Sequence, residues 1–72
     1  MTIYTKNNCP QCHATLRWLN DRGFEYTEIN TSHDPSALAH VKSLGIRQLP
    51  YVDTGESQWS GFQPQQLAKL LS

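Results

Sequence analysis

The residues best able to do chemistry in this sequence are two cysteines. Cys9 and Cys12 enclose Pro10 and Gln11 in a Cys-x-x-Cys motif, and the chain has no other cysteine. The motif follows a short apolar run and precedes a helix-like segment, a context typical of thiol–disulfide exchange sites. At a helix start, this spacing places both sulfurs on one face, close enough to bond. The loop so closed is too short to constrain the unfolded chain much, so redox chemistry is favoured over a structural crosslink.

The position of Cys9 predicts which sulfur is the nucleophile. Only the thiolate attacks, and a free cysteine has a pKa of about 8.5. The unpaired N–H groups and the positive dipole end at a helix N-terminus favour the anion. We therefore assign Cys9 as the attacking thiol and Cys12, one turn further in, as the thiol that resolves the mixed disulfide. Lys6 is near enough in sequence to add positive potential, whereas Pro10 and Gln11 add no charge.

Two other functions could use the same cysteines. Cys9 to His13 matches the Cys-x-x-Cys-His pattern of c-type haem attachment, but Met1 is the only methionine, so no interior methionine can complete the axial pair. A structural zinc site needs four ligands. His33 and His40 would have to help supply them, and they are seven positions apart, outside the usual finger spacing. A cluster bridged between two chains by cysteines stays an alternative, but we expect no bound metal or cofactor.

Length and charge narrow the possible functions. The chain has 72 residues, enough for one small domain spanning 1–72, and its six Lys and Arg balance six Asp and Glu. There is no basic excess for nucleic acid and no apolar run long enough for a membrane span. The first residues lack the pattern of a secretory signal peptide. We therefore expect a cytoplasmic monomer that binds neither nucleic acid nor membrane. In the cytoplasm, a single pair of cysteines is expected to carry out redox or metal chemistry and not to form a structural disulfide.

Alternating strands and helices are predicted to position the cysteines. Prolines stand at the three predicted helix starts, where their missing N–H costs nothing, and Asp34 caps the second helix. A strand, a helix and a strand make a right-handed parallel unit, and a hairpin follows. The predicted order is β-α-β-α-β-β-α, an α/β fold with a four-stranded mixed sheet flanked by three helices. Strands are predicted at 1–5, 24–29, 50–52 and 57–59, and helices starting near Cys9, Pro35 and Pro64.

Apolar spacing predicts which side of each helix is buried. Gly23 and Gly45 follow the first two helices at the position that favours glycine, so the second helix is expected to run to Leu44. The residues expected to face the core are Leu16 and Leu19 in the first helix, Leu38, Val41 and Leu44 in the second, and Leu67, Leu70 and Leu71 in the third.

The motif and several later segments together resemble the NrdH-redoxins, the glutaredoxin-like electron donors of class Ib ribonucleotide reductase. The resemblance covers nearly the whole chain in register. It implies a thioredoxin fold and a dithiol–disulfide oxidoreductase. The segments that carry it are Cys9-Pro10-Gln11-Cys12 after Ile3-Tyr4-Thr5, Arg22-Gly23-Phe24, Gly45-Ile46-Arg47-Gln48-Leu49-Pro50 and Trp59-Ser60-Gly61-Phe62.

The resemblance also implies roles for residues outside the motif. It implies that Pro50 follows a cis peptide bond and faces the cysteines, so that the Leu49 backbone can pair with an extended substrate peptide. From the residues alone, a trans proline starting a strand is the commoner interpretation, and Trp59 is simply a core aromatic. The residues that the resemblance assigns to packing near the active site or to partner contact are Gln48, Trp59, Ser60, Gly61 and Phe62.

The implied partners are the large subunit of class Ib ribonucleotide reductase, which accepts the electrons, and thioredoxin reductase, which supplies them. NADPH is then used only indirectly, through thioredoxin reductase. Ordinary glutaredoxins carry a Gly-Gly pair and an acidic residue that bind glutathione near the position where this chain has Gly61, Phe62 and Gln63. Weak interaction with glutathione is therefore expected. The alternatives are a glutathione-dependent glutaredoxin and an iron–sulfur or metal-binding module.

Overall fold

The computed structural model describes residues 1–71, and its elements follow the predicted order. Each of the three helices begins with a proline, as predicted, because the first turn of a helix does not need that N–H. No helix within residues 1–71 is long and apolar enough to cross a membrane. The elements are β1 (Thr2–Thr5), α1 (Pro10–Asp21), β2 (Thr27–Asn30), α2 (Pro35–Ser43), β3 (Tyr51–Asp53), β4 (Gln58–Ser60) and α3 (Pro64–Ala68), followed by a 3₁₀ turn (Lys69–Leu71).

The four strands form one mixed sheet in the order β2-β1-β3-β4. The β1 strand pairs in parallel with β2, to which α1 connects it, and antiparallel with β3. The β3 and β4 strands form an antiparallel hairpin. The predicted four-stranded mixed sheet with three helices is therefore confirmed.

The hydrophobic core lies between α1, α3 and one face of the sheet. The strand register places Ile3 beside Val52 and Val52 beside Trp59, so their side chains share that face. Leu19 from α1 and Leu67 from α3 complete the buried cluster. Because α1 packs on this core through Leu19, its N-terminus is held in a fixed position at the end of β1.

The α2 helix covers the opposite face of the sheet. Tyr4 and Tyr51, which are register partners, have ring centroids 5.9 Å apart, and His40 of α2 lies 5.9 Å from the Tyr4 ring. Ala37 and Val41 are the buried residues of this helix. The helices therefore flank both faces, with two on one side and one on the other.

The second strand is shorter than predicted at its start. Residues 24–26 precede β2 and do not belong to it, because the backbone N–H at the start of this segment donates a hydrogen bond to the last turn of α1. Gly23 adopts φ 73° and donates its N–H to the Asn20 carbonyl at 3.1 Å, while the Phe24 N–H donates to the Leu19 carbonyl at 3.0 Å. These two bonds form a Schellman motif, which satisfies the last carbonyls of the helix. Phe24 therefore ends the helix and packs against the core instead of entering the sheet.

Two leucines predicted to face the core are exposed. The Leu44 residue is 51% exposed and the Leu71 residue 61% exposed. Leu44 follows the last α-helical residue, and Leu71 lies in the 3₁₀ turn, where three residues per turn shift the side chain away from the α-helical stripe. Leu19, Val41 and Leu67 are buried as predicted. Leu16, Leu38 and Leu70 are half-buried.

Candidate active site

Cys9 is the N-cap residue of α1. Its backbone is extended, with φ −123° and ψ 96°, and its Sγ accepts the Cys12 N–H at 3.2 Å. A sulfur in this position occupies the place of a capping oxygen, where the free N–H groups and the helix dipole stabilise negative charge. The structure contains the Cys9–Cys12 disulfide, with Cα atoms 5.2 Å apart. In the dithiol form, the helix N-terminus therefore favours the thiolate of Cys9, and the sulfur of Cys12 is close enough to bond with it.

Both cysteine residues are almost fully buried in the disulfide form. The Cys9 residue is 4% exposed and the Cys12 residue 1% exposed. Exposure therefore separates the two residues very little, and the assignment of Cys9 as the attacking thiol rests on its place at the N-cap of α1.

The sheet topology brings the segment before β3 next to Cys9. Because β1 and β3 are antiparallel and Tyr4 pairs with Tyr51, the chain leaves β1 at the same end where it enters β3. The Cys9 Sγ lies 3.7 Å from the Leu49 carbonyl oxygen, and the Leu49–Pro50 peptide bond is cis. A disulfide sulfur carries no proton, so this distance is a contact, but the reduced thiol can donate to the same carbonyl.

The Gln11 side chain joins three separate segments around the disulfide. Its Oε1 accepts the Phe62 N–H at 2.9 Å and the Gln48 Nε2–H at 3.3 Å. One amide oxygen thus connects the residue between the cysteines with the segment before β3 and the bend after β4. These two contacts could not be predicted from the residues around Gln11, because their partners are 37 and 51 positions away and leave no local pattern.

Gly61 is the residue on which these segments converge. It adopts φ +83° and donates its N–H to the Pro50 carbonyl at 2.8 Å. A Cβ at this position would lie 3.0 Å from Gln11 Oε1 and 3.2 Å from Gln48 Cδ. Both the backbone angle and the close approach of side chains therefore require glycine here.

The other residues of the predicted Trp-Ser-Gly-Phe motif lie on both sides of the sheet. Trp59 is 7% exposed and belongs to the core, where it packs with Leu67 of α3. Phe62 is half-buried against the same core. Ser60 pairs with Tyr51, so its side chain points to the opposite face, and its carbonyl accepts the Gln63 amide at 2.8 Å. The motif therefore serves packing at Trp59 and the active-site bend at Gly61 and Phe62.

Lys6 and Pro10 are exposed residues beside Cys9. Lys6 lines a groove with Leu49, whose carbonyl contacts Cys9. Within residues 1–71, Lys6 has no carboxylate within salt-bridge distance, since the one ion pair there joins Arg17 and Asp21. The Lys6 ammonium is therefore not paired with a carboxylate of those residues.

Two aspartates with lowered pKa values stabilise turns outside this site. The Ser36 hydroxyl and the Ala37 N–H hold the pKa of Asp34 below its ordinary value at the N-cap of α2. The Gly55 N–H and the Gln58 amide lower the pKa of Asp53 in the β3–β4 hairpin. Within residues 1–71 no group of three or more His, Cys, Asp or Glu side chains could hold a metal ion.

These features together define a class of protein. A disulfide across the first turn of a helix, beside a cis-proline segment and on a four-stranded mixed sheet, is the arrangement of a dithiol–disulfide oxidoreductase with a thioredoxin fold.

Comparison with known proteins identifies the family. The Glutaredoxin family model matches residues 1–58. A glutaredoxin-like protein NrdH from Salmonella typhimurium is 47% identical over 97% of this chain and 86% of its own length. The glutaredoxin-like protein NrdH from Lactococcus lactis subsp. cremoris is 37% identical, covering 97% of each chain. The solved structure of the glutaredoxin-like NrdH-redoxin from Escherichia coli superposes with a TM-score of 0.91, at 46% identity, over 96% of this chain and 91% of that one.

The chain therefore belongs to the glutaredoxin family, within its group of NrdH proteins. This confirms the resemblance, the thioredoxin fold and the assignment to thiol–disulfide oxidoreductases that the sequence predicted.

Proposed function

We propose that this oxidoreductase donates electrons to the large subunit of class Ib ribonucleotide reductase, and that thioredoxin reductase returns it to the dithiol form. The observation that supports this most directly is the position of Cys9. Its sulfur caps α1, accepts the Cys12 N–H at 3.2 Å and lies against the Leu49 carbonyl, where an extended peptide can approach. The NrdH relatives support the choice of acceptor. The reaction belongs in the cytoplasm, where protein thiols stay reduced.

The forward reaction moves two electrons to the acceptor in two exchanges. In the reduced protein, the Cys9 thiolate attacks one sulfur of the acceptor disulfide, and the other acceptor sulfur leaves as a thiolate that takes up a proton. A mixed disulfide now joins Cys9 to the acceptor. Cys12 loses its proton and attacks the Cys9 Sγ, which forms the intramolecular disulfide and releases the second acceptor sulfur as a thiol. The acceptor ends as a dithiol and this protein as the disulfide form.

Thioredoxin reductase completes the cycle by the same exchange in reverse. A thiolate of the reductase attacks the Cys9–Cys12 bond, a second reductase thiol resolves the mixed disulfide, and both cysteines return to thiols. The two electrons come from NADPH, which binds to the reductase. This protein needs no bound cofactor for either half of the cycle, because its two sulfurs hold and pass on both electrons.

Trapping of the mixed disulfide tests the roles of the two cysteines. Cys12→Ser removes the resolving thiol, so it should accumulate a covalent adduct with the oxidised reductase subunit through Cys9. Cys9→Ser is the matched control and should give no adduct, because Cys12 lies inside the first turn of α1 and does not occupy the N-cap position that favours a thiolate. Non-reducing electrophoresis followed by mass spectrometry of the adduct identifies the bond. Equal trapping by both variants would show that the assignment of roles is wrong.

A coupled assay tests the proposed partners. NADPH oxidation is followed with thioredoxin reductase and oxidised class Ib ribonucleotide reductase, with and without this protein. Addition of the wild-type protein should restore both NADPH consumption and deoxyribonucleotide formation, whereas the Cys9→Ser variant should restore neither. If ribonucleotide reductase turns over no faster with the wild-type protein than with the variant, the proposed acceptor is wrong.

Glutathione is the alternative electron source, and the space beside Gly61 argues against it. Where ordinary glutaredoxins carry a Gly-Gly pair and an acidic residue, this chain has Gly61, Phe62 and Gln63. The Gln11 and Gln48 side chains come within 3.2 Å of the Cβ position of Gly61 and fill the approach to its backbone. The coupled assay is therefore repeated with glutathione and glutathione reductase in place of thioredoxin reductase. Equal rates with the two systems would favour a glutathione-dependent glutaredoxin.

A further inference from the structure

A groove next to Cys9 gathers half of the positive side chains of the chain. Lys6, Lys42 and Arg47 line it, and these are three of the six Lys and Arg residues. No Asp or Glu of residues 1–71 lines the groove. The net charge of the chain is zero, so this concentration of one sign reflects how the fold places its cations.

The three cations are available to an external ligand. All three residues are exposed, and within the described part of the chain none forms a salt bridge. The carboxylate closest in sequence to the groove is Asp34, whose Oδ1 already accepts the Ser36 hydroxyl at 2.7 Å and the Ala37 N–H at 3.1 Å. None of the three cations is therefore paired with a carboxylate of residues 1–71.

The floor of the groove is apolar. Leu38 and Val41 from α2 and Ile46 and Leu49 from the segment before β3 line it, and its volume is 550 Å³. That space accommodates several side chains of an extended peptide but not a folded element. The Leu49 carbonyl also contacts the Cys9 Sγ at 3.7 Å, so a chain lying in the groove continues directly to the reactive sulfur.

We propose that this groove binds the segment flanking the reducible disulfide in the protein substrate, and that this segment is extended and acidic, with an apolar side chain on the groove floor. The proposal rests on the proposed function and specifies the kind of sequence that the acceptor presents to Cys9. The carboxylates of the segment pair with Lys6, Lys42 and Arg47, and its apolar residue covers Leu38 and Ile46. Charge complementarity then raises the rate of encounter with acidic disulfide substrates over neutral ones.

Single-turnover reduction of synthetic peptides tests the proposal without thioredoxin reductase or ribonucleotide reductase. The pre-reduced protein is mixed with an excess of a peptide that has one intramolecular disulfide flanked by Asp, Glu and one Leu. A second peptide carries Asn and Gln in place of the acids, and a third keeps the acids but has Ser in place of Leu. The second-order rate constant of each is measured from the appearance of peptide thiols.

The wild-type protein should reduce the acidic peptide about tenfold faster than the neutral one at low salt, and the ratio should fall as salt screens the charges. The Ser-containing peptide should react more slowly than the Leu-containing one. Lys42→Gln and Arg47→Gln should each lower the acidic-to-neutral ratio by about two- to fivefold, which corresponds to one exposed ion pair. Lys69→Gln, a cation outside the groove, is the matched control and should leave the ratio unchanged.

Equal rates for the acidic and neutral peptides would overturn the inference while leaving the disulfide reductase activity intact. The same conclusion follows if Lys42→Gln and Arg47→Gln keep the wild-type ratio. Oxidised glutathione is the comparison ligand: if it reacts as fast as the acidic peptide and depends equally on Lys42 and Arg47, the groove is a glutathione site and the peptide is the wrong occupant. If neither peptide is reduced, the reductase activity itself fails, and the coupled assay will show the same loss.

Discussion

Replacement of Gly61 by alanine tests whether the bend after β4 and the residue between the cysteines act as one unit. The Ala side chain meets two penalties. A left-handed backbone, here with φ +83°, costs a residue with a Cβ about 1–2 kcal/mol. The new methyl group also lies 3.0 Å from Gln11 Oε1, so the amide must move by a few tenths of an ångström. That movement weakens the bond from the Phe62 N–H, 2.9 Å long, which is worth about 0.5–1.5 kcal/mol.

The expected total is about 2–3 kcal/mol of lost unfolding free energy, or a fall in Tm of roughly 10–20 °C for a domain of this size. Gly55→Ala is the matched control. Gly55 also has a positive φ, +92°, but nothing lies within 4 Å of its Cβ position, so the control carries only the backbone cost. Chemical denaturation of both variants in the disulfide form gives the two free energies, and Gly61→Ala should be destabilised by about 1 kcal/mol more than Gly55→Ala.

A double-mutant cycle with Gln11→Ala separates the contact from the strain. Once the Gln11 amide is gone, adding Gly61→Ala should cost less than it does in the wild-type background, because of the two side-chain contacts only the one with Gln48, 3.2 Å from the Cβ position, remains. The coupling between positions 11 and 61 should therefore be about 1 kcal/mol. If the two substitutions are additive within about 0.3–0.5 kcal/mol, Gln11 does not restrain the bend and the reasoning is wrong.

Three further outcomes follow from the same structure. In the reduced protein, the pKa of the Cys9 thiol should lie below the free value of about 8.5, because its anion caps α1; thiolate absorbance against pH should show this step in the wild type and lose it in Cys9→Ser. Leu19→Ala should cost about 2–5 kcal/mol in a urea titration because Leu19 is fully buried, whereas Leu44→Ala, at a residue 51% exposed, should change stability by about 0.5 kcal/mol or less. Hydrogen bonds hold the pKa of Asp34 in the folded protein below its ordinary value of 3.8. The ionised carboxylate therefore adds to the unfolding free energy above pH 3.8, and this addition is lost as the pH falls through the folded pKa. The difference in unfolding free energy between the wild type and Asp34→Asn should therefore become smaller in acid.

Local patterns predicted the elements and the active cysteine. A proline at each helix start, and Gly23 and Gly45 after the first two helices, mark their boundaries by backbone chemistry that depends on a few neighbouring residues. The placement of Cys9 at the N-cap follows from the same rule. Phe24 was misassigned because its β-like side chain suggested a strand, while its N–H was already required by the Leu19 carbonyl.

Contacts between distant segments could not be predicted from the residues alone. Gln11 stands between the cysteines and offers no charge, yet its amide oxygen binds two segments that are 37 and 51 positions away. In the sequence, Arg47 is distinguished only as one residue of the segment from Gly45 to Pro50. Its place beside Lys6 and Lys42 depends on how α2 and the segment before β3 pack together. The periodicity of apolar residues describes one helix or strand at a time, so it cannot predict which residues of different elements become neighbours.

The balanced charge of the chain conceals an uneven distribution that bears on how a partner approaches. The cysteines and the basic groove lie at the end of the sheet where β1 finishes. The opposite end is marked by the pairing of Thr2 with Asp53 and Thr27. The N-terminal ammonium helps to lower the pKa of Asp53 there, so this end carries charges of both signs. An acidic segment is therefore favoured at the Cys9 end, where the groove lining has three cations and no carboxylate. The zero net charge argues against a general affinity for polyanions. The fold nevertheless creates a local preference for acidic segments beside Cys9, where a substrate disulfide has to bind.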